Sequence, residues 1–146
     1  DETGTVISIK PHRGGAMSRP SEAIWIVAQL GKPRRLRMVY DFSHYIFRDM
    51  ELEQTIRESA RFTTQVLVKD TVRTASGGTT FVLPGEGGTI DYGLLLSSFH
   101  RHGYRGDVSC EVSSAVWRQE GYDPLAAVKT CYRNMSAAFE VAGLRR

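Results

Sequence analysis

Long apolar runs are missing from this sequence. Nothing in it approaches the ~20 consecutive apolar residues that a membrane-spanning helix requires; the best candidates, 23–30 and 94–99, are interrupted or short. Cysteine is scarce: Cys110 and Cys131 are the only 2, with no C-x-x-C pair and no histidine nearby at metal-ligand spacing. They read as buried free thiols in a reducing, cytoplasmic setting, not as a disulfide framework or a zinc site. Charge of one sign is lacking too, since 19 Lys and Arg face 16 Asp and Glu for a formal net charge of +3. Apart from residues 32–37 and the terminal pair Arg145 and Arg146, the basic residues are scattered, whereas a nucleic-acid binder gathers them on one face. Neither a membrane nor nucleic acid is an expected partner. A signal peptide's basic and apolar regions are absent from residues 1–5. Asp1 is not an initiator Met, so the chain reads as a fragment of a longer protein.

What is present suits one soluble domain. The 146 residues are 41% hydrophobic and 24% charged, enough apolar material for a core and too much for a disordered chain. Val6-Ile7-Ser8-Ile9-Lys10 is a strand stopped by Pro11. A helix over 21–30 follows, capped by Ser18 or Ser21 and ended by Gly31. Residues 35–40 form a second strand that delivers Asp41 to its C-terminal end. A helix over 52–60 precedes a third strand at 65–69. The longest loop, 71–90, carries Gly77-Gly78 and Pro84-Gly85-Glu86-Gly87-Gly88. Asp91 caps a helix at 92–102 that ends at Gly103. A fourth strand at 107–112 and a last helix at 124–142 complete the order. Leu125, Val128, Tyr132, Met135 and Phe139 recur at spacings of three and four and mark that helix's buried face.

Strand and helix thus alternate about four times, without a hairpin signal. Repeated βα units imply parallel strands joined by right-handed crossovers. An open doubly wound sheet and part of a (βα)8 barrel both satisfy that order. No G-x-G-x-x-G turn follows the first strand, which counts against a dinucleotide fold. Lys10, Asp41, Asp70 and Glu111 each sit at or just beyond a strand's C-terminal end, where barrels keep their chemistry. The fold class expected is therefore α/β, about four βα units supplying roughly half of a (β/α)8 barrel of about 250 residues.

Each polar site has a chemical and a structural reading. Asp41-Phe42-Ser43-His44 can aim a carboxylate and an imidazole into one cavity, or Asp41 can cap a turn while His44 lies at the surface. Glu111 stands in the apolar run Val108-Ser109-Cys110-Glu111-Val112, where a carboxylate needs a metal or a structural ion pair. Lys69, Asp70 and Arg73 can form an ordinary ion-paired strand end. Residues 85–88 can present amides to a phosphate or simply turn into the next helix.

Taken in order, these segments resemble the C-terminal half of the xylose isomerase-like TIM barrels, the sugar phosphate isomerase/epimerase family. The residues that carry the likeness are Val39-Tyr40-Asp41-Phe42-Ser43-His44, Val68-Lys69-Asp70, Pro84-Gly85-Glu86-Gly87-Gly88-Thr89-Ile90-Asp91-Tyr92 and Gly103-Tyr104-Arg105-Gly106-Asp107-Val108-Ser109-Cys110-Glu111. The resemblance implies a divalent metal (Mn, Mg or Zn) held by carboxylates and a histidine, a sugar or polyol substrate, and proton transfer between neighbouring carbons through an enediolate. It implies Asp41 and Glu111 as metal ligands, Glu111 also as acid/base, His44 and Arg73 as substrate contacts, and Asp70 beside them. Two positions depart from the pattern. Lys10 stands where the family's first glutamate is expected, and Leu67 where its histidine ligand is expected, with Gln65 on the same strand face.

An ammonium repels a dication and leucine cannot coordinate one. The expected arrangement is therefore Lys10 at the metal's place, paired with Asp41 and Glu111, stabilising the enediolate while Glu111 acts as base. A register shift of two residues would instead bring Ser8 or His12 to the site. The alternative function is a carbohydrate- or partner-binding barrel that has lost the proton-transfer pair. A nucleic-acid repair enzyme is disfavoured, since apurinic endonucleases of the related fold need a dense metal cluster, whereas His100 and His102 fall on a predicted helix. The missing N-terminal half barrel, or a second copy, is the expected protein partner, and the fragment alone is expected to be inactive.

Overall fold

A computed structural model describes residues 3–144. Asp1 and the Arg145 and Arg146 pair lie outside the described residues. The chain divides into two compact units, Asp1–Leu67 with Ser98–Ser109, and Val68–Ser97 with Cys110–Arg146.

The first unit is built on a sheet with the strand order β1 (Ile7–Ile9), β2 (Leu36–Tyr40), β3 (Thr63–Val68) and β6 (Asp107–Cys110). The β1–β2 and β2–β3 pairs are parallel, Ile7 opposite Leu36 and Tyr40 opposite Val66. Helices α1 (Pro20–Gln29) and α2 (Leu52–Ser59) make the crossovers. Their buried residues Ala23, Val27 and Ile56 form a core with Met38, Tyr40, Val66 and Phe99. Val66 is fully buried while Leu67 is half-buried, the alternation of a strand whose two faces meet different surroundings. The start of α1 differs from expectation. Arg19 occupies the N-cap and Pro20 the first turn, and neither serine caps the helix. Instead the Glu22 carboxylate accepts from the backbone N–H of Ser18 at 2.6 Å and of Arg19 at 3.0 Å, satisfying donors that the first turn leaves without partners.

Tyr104 explains the Gly-Tyr-x-Gly stretch ahead of β6. Its hydroxyl lies 3.2 Å from the carbonyl of Thr64 and 2.7 Å from that of Asp107, tying the entry of β6 to β3. A Cβ at Gly106 would lie 2.6 Å from that hydroxyl, so no larger residue fits there. Partial burial pushes the Tyr104 phenol up to about 12, so it stays a hydrogen-bond donor at neutral pH.

The second unit overturns two expectations. The loop predicted over 71–90 contains an antiparallel hairpin, β4 (Asp70–Arg73) and β5 (Thr79–Val82), with Asp70 opposite Val82 and Arg73 opposite Thr79. Thr71-Val72 and Thr79-Thr80-Phe81-Val82 are good strand formers, and Gly77, at φ 81°, lets the chain reverse between them. A short helix, α4 (Ser114–Trp117), also lies between β6 and the last helix.

The second correction concerns α5 (Pro124–Val141), which begins where expected, with Asp123 accepting from the N–H of Leu125 and Ala126. Its buried residues are Ala127, Cys131 and Met135, whereas Leu125, Val128 and Tyr132 are 61%, 62% and 70% exposed. Two stripes at helical spacing compete on this helix. The one with small residues packs because Ala127 and Cys131 let the backbone approach Leu83, Val112, Val116 and Tyr122. Cys110 is exposed, not buried as the sequence suggested. Helix α3 (Tyr92–Arg101) starts with Asp91 accepting from Leu94 N–H, as anticipated. Among the described residues no helix is long and apolar enough to cross a membrane.

Candidate functional site

In the first unit the C-terminal ends of β1 and β2 bring together Lys10, Asp41 and His44. The strand alignment puts Lys10 directly after Ile9 and Asp41 directly after Tyr40, and the Lys10 ammonium lies 3.0 Å from Asp41 Oδ2. Asp41 and His44 are fully buried, and Lys10 is 23% exposed. Of the structural reading of the Asp-x-x-His segment, the Asp41 cap is present and the surface position of His44 is not. Asp41 Oδ1 caps a tight turn over Phe42–His44, accepting from Ser43 N–H at 3.1 Å and from its hydroxyl at 2.6 Å. Oδ2 meanwhile faces Lys10, with His44 Nε2 at 3.3 Å. His44 is therefore not a surface residue.

Aromatic rings pack around the end of β2, two of them close enough to feel the charge of Asp41. Tyr40 stacks edge-on against Tyr45 and Phe99, at 5.2 and 4.8 Å between centroids. Burial raises the pKa of both phenols, with the charge of Asp41 adding to the effect, so they stay neutral. The full burial of Asp41 lowers the local dielectric and strengthens its attraction to Lys10. His44 Nδ1 accepts a long bond, 3.4 Å, from Arg13 N–H, which assigns the ring proton to Nε2, beside Asp41. His12 lies over His44, with ring centroids 4.0 Å apart. Ser8, the other residue a register shift would select, bonds Thr64 at 2.6 Å.

In the second unit Glu111 follows directly on β6 and is 34% exposed. It forms an ion pair with Lys69, which is only 2% exposed. The Lys69 ammonium also lies 4.7 Å over the ring of Phe81, on β5. Sequence reasoning passed over Lys69 as a site residue. The available signal was a lysine closing the apolar run Val66-Leu67-Val68, a position too costly for a charge without a built partner. Arg73 is exposed on β4.

Asp70 is fully buried, and both its oxygens are engaged. Oδ1 accepts from Thr71 N–H at 2.8 Å and Thr89 Oγ1 at 2.6 Å, and Oδ2 from the N–H groups of Gly87 and Gly88 at 3.1 Å each. Glu86 N–H is taken by Leu83 O at 3.1 Å. The glycine loop thus turns its amides onto the protein's own carboxylate. A Cβ at Gly87 would lie 2.2 Å from Thr71 O, so the approach requires glycine.

Comparison with known proteins agrees with this architecture. No curated protein matches the chain in direct sequence comparison. Among solved structures it is similar to an L-ribulose 3-epimerase, at TM-score 0.75 and 16% identity, covering 96% of this chain and 49% of that one. It is similar to the E. coli 3-keto-D-glucoside 4-epimerase YcjR, at TM-score 0.68 and 17% identity, covering 95% and 47%. The IOLI protein, solved with a zinc atom bound, superposes at TM-score 0.71 and 19% identity, covering 98% and 51%. The chain therefore spans about half the length of the structures it resembles. The family model described as xylose isomerase-like TIM barrel matches residues 1–133, and the chain belongs to that family.

Proposed function

We propose that the intact protein is a sugar isomerase or epimerase whose site uses lysine ammonium groups where the family resemblance implies a metal. The observation that carries this reading is the Lys10–Asp41 ion pair, 3.0 Å long at the C-terminal edge of the sheet. A divalent ion would have Asp41, His44 and Glu111 as its donors, and this set suits it poorly. Asp41 is already neutralised by Lys10 and Glu111 by Lys69, while Leu67 offers no ligand atom. The catalytic roles therefore fall to the chain's own side chains.

In this mechanism the substrate is a ketose or related polyol with a proton α to its carbonyl. Glu111, a third exposed, removes that proton as general base, and Lys10 stabilises the enediolate oxygen that develops. Glu111 then returns the proton to the neighbouring carbon, while the hydroxyl proton passes between the two enediolate oxygens, giving the isomer. Protonation of the original carbon on its opposite face by a water molecule, which takes up the Glu111 proton in exchange, gives the epimer. Asp41 holds Lys10 charged and in place. Arg73, exposed on β4, contacts substrate hydroxyls. His44, buried with both ring nitrogens engaged, steadies the Asp41 carboxylate instead of touching substrate, and Asp70 fixes the loop at 85–88. Since that loop's amides are engaged with Asp70, an unphosphorylated sugar is the favoured substrate. The site is completed by a second half barrel against the β1 and β6 edges, where Val6 and Ile7 are 50% and 64% exposed.

One observation favours a second reading, a barrel that binds sugar without turning it over. A buried ammonium beside Glu111 weakens that carboxylate as a base. The two readings separate in D2O. The intact protein is incubated with L-ribulose and D-fructose, with and without EDTA, and deuterium uptake at the carbons flanking the carbonyl is followed by NMR. Uptake that survives EDTA supports the lysine-based enzyme. Uptake abolished by EDTA and restored by Mn, Mg or Zn overturns it in favour of metal-dependent chemistry. Saturable binding without uptake supports the second reading.

A further inference from the structure

His12 has no place in the mechanism above, yet it is built with unusual care for an exposed residue. It lies on the loop that leaves β1, two residues beyond Lys10. That loop is closed on itself: His12 N–H donates to Met17 O at 2.9 Å and Gly15 N–H to His12 O at 3.0 Å. A Cβ at Gly15 would approach His12 O to 3.2 Å, so the turn is tight as well as closed. The imidazole is laid on His44 at 4.0 Å, tilted by 40°. Its Nδ1 lies 2.7 Å from Arg13 O. A carbonyl accepts only, so Nδ1 carries a proton, and in the neutral ring Nε2 is left with a lone pair. Among the described residues that lone pair has no hydrogen-bond partner.

We infer that His12 is a substrate-contacting residue of this site, its Nε2 accepting a hydrogen bond from a hydroxyl of a bound ketose or polyol. The inference rests on the functional reading above and adds a specificity contact to it. The chemistry is complementary over two neighbouring positions. Lys10 presents donors suited to a carbonyl or enediolate oxygen, and His12 presents an acceptor suited to the hydroxyl beside it. Vicinal oxygens on a sugar offer that alternation, whereas a carboxylate or phosphate has no donor for His12 at neutral pH. The backbone bonds of the turn, the stack on His44 and the bond to Arg13 fix the ring before any ligand arrives, so little ordering entropy opposes the contact.

The competing role is cover, with the His12 ring simply keeping water from His44. Phenylalanine separates the two, because it keeps a flat ring over His44 and removes the acceptor. The deuterium-uptake assay with L-ribulose as probe is run on the intact wild-type protein, H12F, H12Q and H12A, alongside thermal melts. Loss of one hydrogen bond predicts a KM for H12F raised about tenfold, with kcat within about twofold, an unchanged Tm, and partial recovery of KM in H12Q. In the wild type, L-ribulose should also shift the His12 Cε1–H resonance with the same midpoint. H12F matching wild type in KM while H12A loses Tm assigns His12 to cover and overturns the inference. A wild type that binds and turns over L-ribulose without moving the His12 resonance overturns it as well. A wild type that neither binds nor exchanges any ketose overturns the functional reading, and the inference with it.

Discussion

Lys69 and Glu111 form an ion pair in which the cation is almost wholly buried and the anion is a third exposed, with the ammonium also resting over the Phe81 ring. The asymmetry has an energetic consequence. Water can compensate Glu111 if its partner is removed, but it reaches Lys69 poorly. E111A, which leaves an ammonium buried beside an apolar side chain, should cost about 2–3 kcal/mol, below the full penalty for breaking a buried pair because the pair is partly solvated. K69M, a swap to an apolar chain of similar volume, should cost no more than about 1 kcal/mol. Urea unfolding of the two variants checks the order, and equal losses would contradict it.

The metal question can be settled by rebuilding the family pattern. Wild-type protein equilibrated with Mn, Mg and Zn should carry well under one equivalent by elemental analysis. The double variant K10E/L67H removes the ammonium that neutralises Asp41 and adds a carboxylate and an imidazole, the donors a dication prefers. It should retain close to one equivalent of Zn or Mn. Stoichiometric metal in the wild type would show that Lys10 yields its place to the ion.

Asp70 and the glycine loop act as one clasp. G87A places a methyl group 2.2 Å from Thr71 O, an overlap that relaxes only by moving the loop, and should destabilise by about 3 kcal/mol. D70N replaces one of two acceptor oxygens with an NH2 that meets backbone or hydroxyl donors and should cost about 2–3 kcal/mol. Because both changes break the same clasp, the double variant should be less destabilised than the sum of the singles. Chemical denaturation of all three measures the coupling.

Glu22 gives a pH dependence whose sign is fixed. Backbone N–H bonds, that from Ser18 foremost, hold its carboxyl below the ordinary 4.5. A depressed carboxyl contributes stability that is fully present above its unfolded value and is lost as pH falls through the folded one. The wild type should therefore lose more stability than E22Q on acidification below about pH 4.5, by a margin kept small by solvent screening. Parallel melts from pH 7 to pH 3 provide the comparison.

Much of this protein can be read along the chain because the information is local. β-Branched runs, the Gly31 and Gly103 stops and the Asp91 and Asp123 caps each act within a few residues, so the strand–helix order emerges from sequence alone. So does the placement of Lys10, Asp41 and Glu111, since a residue just beyond a strand lands at its C-terminal end whatever the strand packs against. Choices between competing surfaces needed the tertiary structure. The apolar stripe Leu125–Val128–Tyr132 and the stripe Ala127–Cys131–Met135 are both helical in period, and only the space left by Leu83 and Val116 selects the smaller side chains. The hairpin at 70–82 joins short segments whose strand character depends on each other. The partners of the charges are the least local feature. Asp41 is held by a residue 31 positions earlier, and Glu111 by one 42 positions away. Burial strengthens each of those pairings to a degree that no spacing in the sequence encodes.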